Sequence, residues 1–119
     1  MLKLLAVLSA LIMSAPAAAH DAPGSHGGRV ADAGAYHVEL VAKNDVVDVY
    51  LTDHNDKPIP VTGFKGLAIL SVGGKSQRIV LEPTEGGKLT GKATATLPAA
   101  PKGVVQITPP KGQSVSAKF

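Results

Sequence analysis

Four histidines, His20, His26, His37 and His54, and one carboxylate, Glu39, are the residues whose types and spacing suit a shared chemistry: holding a divalent transition-metal ion. Neutral imidazole and carboxylate suit Cu(II), Zn(II) and Ni(II), and Cu(II) is generally the tightest bound of that series. The chain has no cysteine, and its two methionines, Met1 and Met13, lie in an apolar first stretch that reads as a cleaved leader. Soft sulfur ligation of Cu(I) is therefore excluded from the mature protein.

A β-hairpin must position three of these residues. From Ala35 to Ala42 the residues alternate, with Tyr36, Val38, Leu40 and Ala42 on one face and His37, Glu39 and Val41 on the other. The pair Asn44-Asp45 suits a two-residue hairpin turn into a second strand, Val46 to Asp53. Closing the hairpin there sets Val38 opposite Leu51, Leu40 opposite Val49 and Ala42 opposite Val47, while a slip of one residue would bury Glu39 and Asp48. In this register His37 faces Thr52 and Glu39 faces Tyr50. His54, just past the strand end, becomes a diagonal neighbour of His37, with Cβ atoms roughly 7 Å apart. The glycines of His26-Gly27-Gly28 allow close backbone approach, so the arm before the strand can fold His26 back towards them.

His20 owes its place to processing. Lys3, the apolar run Leu4 to Met13 and Ala15-Pro16-Ala17-Ala18-Ala19 form a secretory signal, which predicts a periplasmic protein. The run is too short to cross a bilayer, and no later segment is continuously apolar, so no membrane span is expected. Cleavage after Ala19 is favoured over cleavage after Ala17. It makes His20 the N-terminus, whose amine and imidazole together chelate Cu(II). The other cut leaves Ala18-Ala19-His20, a square-planar site for Cu(II) or Ni(II). Removing residues 1–19 from the 119 leaves a single domain, 20–119, with a flexible, glycine-rich arm over 20–28.

Charge is unevenly spread. Residues 20–56 carry seven acids against two bases, and from Lys57 onward nine bases face two acids. All four histidines fall in the acidic part, as a cation site requires. The basic residues lack the interleaved aromatics of a single-strand nucleic-acid platform, so no nucleic-acid partner is expected. The chain also lacks a Gly-x-Ser-x-Gly turn, a cysteine nucleophile, an H-E-x-x-H helix and a phosphate-binding glycine loop, and is not expected to be an enzyme.

The rest of the chain reads as scaffold. Ile59 to Phe64, broken by Pro60 and Gly63, is an edge or connection. Leu67 to Val72 and Ser76 to Glu82 are strands, and a three-residue loop at Gly73-Gly74-Lys75 would pair Leu67 with Leu81 and Ile69 with Ile79. Strands over Lys88 to Leu97, Gly103 to Thr108 and Ser114 to Phe119 follow. Seven or eight short strands at near-regular spacing, without helical periodicity, predict an all-β antiparallel sandwich, immunoglobulin-like, with a small open barrel as the alternative.

The runs His26-Gly27-Gly28, Tyr36-His37-Val38-Glu39-Leu40-Val41, Val47-Asp48-Val49-Tyr50-Leu51 and Lys57-Pro58 resemble the small N-terminal β-domain of periplasmic adaptor proteins in heavy-metal efflux pumps of the resistance-nodulation-division class. The similarity covers about residues 26 to 58. It implies a stand-alone protein handling copper, zinc, cobalt or cadmium, with an efflux adaptor or pump component as its partner. The helical hairpin, lipoyl-like domain and barrel of such adaptors are absent, so the chain is not itself an adaptor. The second part is also similar to small copper-resistance β-sandwich proteins, a likeness of fold alone. The expected function is divalent-metal binding in resistance, delivery or efflux through His20, His26, His37, Glu39 and His54. The alternative is a metal-free module docking on an efflux component.

Overall fold

The computed structural model describes residues 22–119; the leader, its cleavage site and His20 lie outside the described residues. Among the described residues there are nine strands and no helix. They are β1 (Ala22–Pro23), β2 (Arg29–Ala33), β3 (Tyr36–Lys43), β4 (Val46–Thr52), β5 (Lys65–Val72), β6 (Lys75–Pro83), β7 (Leu89–Lys92), β8 (Gly103–Thr108) and β9 (Val115–Lys118). They form one sheet in the order β1-β2-β3-β4-β7-β6-β5-β8-β9. Every neighbouring pair is antiparallel.

The sheet curls until β2 comes back beside β9. Side chains close that gap: the Arg29 guanidinium sits 5.5 Å from the centre of the Phe119 ring and donates to the Pro101 carbonyl. Where β7 lies beside β6, a Cβ on Gly91 would strike the Val80 carbonyl oxygen. Only glycine permits that approach. The all-β antiparallel expectation holds, and the curled half-barrel matches the small open barrel.

Alternation explains the core. Val38 and Leu40 on β3, Val47, Val49 and Leu51 on β4, Leu70 on β5, Ile79 and Leu81 on β6, and Val105 and Ile107 on β8 are all at most 2 % exposed. Burying each such side chain contributes about 1.5–3 kcal/mol. The β3–β4 register is the expected one, Val38 with Leu51, Leu40 with Val49 and Ala42 with Val47. Its two-residue turn is made possible by Asn44, which takes a φ of 57°.

The β5–β6 register differs from expectation. Val72 pairs with Lys75, so the loop is the two residues Gly73 and Gly74, and Leu67 faces Val80 while Ala68 faces Ile79. Both glycines have positive φ, 58° and 80°, the requirement of a type I′ turn whose twist matches the strands. Gly66, Ala68 and Leu70 therefore point towards Leu81, Ile79 and Gln77, and the larger Leu67 and Ile69 lie on the other face, partly covered. β7 is also shorter than expected. After Lys92 the chain leaves the ladder to cover the β3–β4 turn, with Ala93 N–H donating to Asp45 O and Leu97 N–H to Asn44 O, both at 2.7 Å.

Candidate metal site

β3 carries two clusters on the same face. The first holds the arm. Glu39 is 5 % exposed although it points away from the core, because residues 24–28 lie across it. Its Oε2 accepts the N–H groups of His26 and Gly28, both at 2.9 Å, and its Oε1 lies 2.7 Å from His26 Nδ1. An ionised carboxylate only accepts, so the His26 ring donates from Nδ1. That ring also stacks on Tyr50, the cross-strand partner of Glu39, with centroids 3.6 Å apart and planes 4° from parallel. The H-G-G run thus has a backbone explanation. Gly27 takes a φ of 80°, and a Cβ on Gly28 would run into the Leu40 carbonyl. Upstream, Gly24 also lies so close that its Cβ would strike the Glu39 carboxylate. β1 then continues the arm along β2, pairing Ala22 with Val30.

The second cluster stands at the end of the sheet where β3 begins and β4 ends. His37 faces Thr52, as expected, and the turn after β4 swings His54 onto it. His54 Nδ1 lies 3.1 Å from His37 Nε2, with the rings edge to face at 79°. Asp53 builds the turn: its Oδ1 accepts the N–H groups of Asn55 at 2.8 Å and Lys57 at 3.0 Å. The Lys57 N–H above all, opposed by partial burial and helped by the Asn55 N–H, holds the Asp53 carboxyl below its usual range. Within the turn Asp56 takes a φ of 61°, a left-handed position that Asp and Asn tolerate better than most residues.

Two carboxylates flank His37. Asp32 Oδ1 is 3.3 Å from Nε2, the nitrogen that also faces His54, and Asp56 Oδ1 is 3.5 Å from Nδ1 on the opposite side of the ring. Both aspartates are more than four-fifths exposed, whereas the His37 side chain is 23 % exposed. Between the two clusters runs a cleft of about 350 Å³ bordered by Gly24, Ser25, Val30, Glu39, Thr52 and Asp56. Among the described residues no three or more His, Asp or Glu side chains already form a group able to hold a metal ion. His37 and His54 are a facing pair with carboxylates alongside.

Of the residues singled out by sequence, His37 and His54 come together, and His26 joins Glu39 instead. His20 lies outside the described residues. Asp32 and Asp56 were missed as neighbours of His37. Asp32 had a signal: a two-residue turn at Gly34-Ala35 pairs Asp32 with His37 across the β2–β3 hairpin. Among the described residues no helix is long and apolar enough to cross a membrane. Comparison with protein-family models, with curated proteins and with solved structures finds no match.

Proposed function

We propose that this chain is a periplasmic binder of a divalent transition metal, Cu(II) first and Zn(II) or Ni(II) next, acting in metal resistance, delivery or efflux. The observation that carries this reading is the 3.1 Å separation of His37 Nε2 and His54 Nδ1. An ion about 2.0–2.1 Å from each nitrogen would subtend an angle of about 98°, between the right angle of tetragonal Cu(II) and the tetrahedral angle of Zn(II). The signal-like leader and the resemblance to the H-G-G domain of metal-efflux adaptors support the same reading. His26 and Glu39 are engaged with each other, so they would reach an ion only if the arm opened.

Titration of the full chain with Cu(II), Zn(II) and Ni(II) against a competing chelator tests it. One ion per chain is expected, with binding weakened in His37→Ala and in His54→Ala, and no further loss in the double variant, because one missing ligand already breaks the pair. The same titration on protein cleaved after Ala19, with and without His20→Ala, isolates any N-terminal chelate. Unchanged affinity in both single variants at His37 and His54 overturns the site. The docking alternative is favoured by a groove of about 710 Å³ bordered by Phe64, Leu67, Val80 and Pro83 among Lys65 and Arg78. Val80 there is 66 % exposed. Absence of metal binding would leave that reading in place.

A further inference from the structure

We infer that Asp32 is the third ligand of the ion held by His37 and His54, and that Asp56 is the positioning carboxylate that orients His37, leaving a site open to exchange. The inference rests on the metal reading above. Asp32 Oδ1 and His54 Nδ1 approach the same atom, His37 Nε2, at 3.3 and 3.1 Å. An oxygen and a nitrogen 3.3 Å apart, each about 2.0–2.1 Å from one ion, subtend about 105° there. The three donors come from the β2–β3 hairpin and the turn after β4, elements set by backbone pairing before any ion arrives. Asp32 is 81 % exposed, so rotation of its side chain about the Cα–Cβ bond, unhindered by packing, completes the group.

Asp56 lies on the other nitrogen. With Nε2 giving its lone pair to the ion, the His37 proton lies on Nδ1, where the Asp56 carboxylate 3.5 Å away holds it. In the metal-free protein His54 Nδ1 and His37 Nε2 share one proton across 3.1 Å. When the ion enters, both lone pairs turn to it, the shared proton passes to water, and water returns a proton to the far nitrogen of the ring that had carried it. Two nitrogens and one oxygen leave at least one position to water, on the side where Asp32 and Asp56 face solvent. Such a centre surrenders its ion to a stronger chelator by direct attack at the open position.

The test uses the full chain with Cu(II), read by competition titration and electron paramagnetic resonance, and Asp32→Asn, Asp56→Asn, His37→Ala and His54→Ala. Asn keeps the size of Asp and tolerates the left-handed backbone at residue 56, so circular dichroism should be unaltered. Asp32→Asn should weaken binding at least tenfold and change the resonance parameters, because an anionic oxygen leaves the ion. Asp56→Asn should weaken binding about 10–100-fold with the parameters retained, the behaviour of a residue acting through a ligand. Transfer to added chelator should speed up in proportion to chelator concentration. If the histidine variants lose the ion while Asp32→Asn stays within twofold of the parent with an unchanged spectrum, Asp32 is not a ligand and the pair stands alone. A changed spectrum in Asp56→Asn overturns its positioning role. If the histidine variants bind as the parent does, the metal reading itself fails.

Discussion

Glu39→Ala removes the carboxylate that fastens His26 and Gly28 of the arm to β3. The side chain receives two backbone N–H groups and one ring nitrogen within 2.9 Å while 5 % exposed. Hydrogen bonds to a charged group contribute about 1.5–3 kcal/mol each, which sets a gross ceiling near 4.5–9 kcal/mol. The net loss is smaller, because the arm can lift away and hydrate its own N–H groups once the carboxylate is gone. A cost of about 2–4 kcal/mol follows, and 3 kcal/mol corresponds to a fall of roughly 12–24 °C in Tm for a domain of this size. Glu39→Gln keeps a carbonyl oxygen but no charge, and since neutral bonds are roughly half as strong it should cost about 1 kcal/mol. Urea unfolding gives the energies, and amide exchange at His26 and Gly28 reports the arm directly. A Glu39→Ala protein within about 0.5 kcal/mol of the parent, with the Gly28 amide still protected, would refute the clasp.

The β5–β6 register makes Leu70 a core residue and Ile69 a half-covered one, so Leu70→Ala should cost about 2–5 kcal/mol and Ile69→Ala clearly less; the reverse order in urea unfolding would restore the three-residue loop. The Lys88 ammonium, 3.1 Å from Asp48 Oδ2, is held above its ordinary value by that hydrogen bond and charge, with the Tyr50 ring nearby. A raised folded value contributes stability fully below the ordinary lysine range and loses it as pH rises through the folded value. The stability difference between the parent and Lys88→Met should therefore be constant from neutral pH to the onset of lysine titration and shrink above it, as read from urea midpoints across alkaline pH.

The β3–β4 hairpin was legible because two independent signals agreed, the Asn-Asp turn and an alternation that left a single apolar face. The diagonal contact of His37 with His54 followed from that register alone. At β5–β6 the signals conflicted. Leu67 and Ile69 make the more apolar face, yet the glycine pair demands a two-residue turn, and backbone twist outweighed side-chain hydrophobicity. Asp56 was beyond reach, since its place depends on a left-handed residue inside a turn built by Asp53.

By itself the sequence determined the all-β class, the β3–β4 turn, the faces of β3 and β4, and which residues have ligand chemistry, because these depend on contacts between near neighbours in the chain. Only the tertiary structure decided that Glu39 is buried beneath the H-G-G arm, that the sheet curls until β2 meets β9, and that Asp56 joins Asp32 beside His37. Those outcomes depend on where the arm, the turn after β4 and the distant C-terminal strand settle, which no local pattern of side chains specifies.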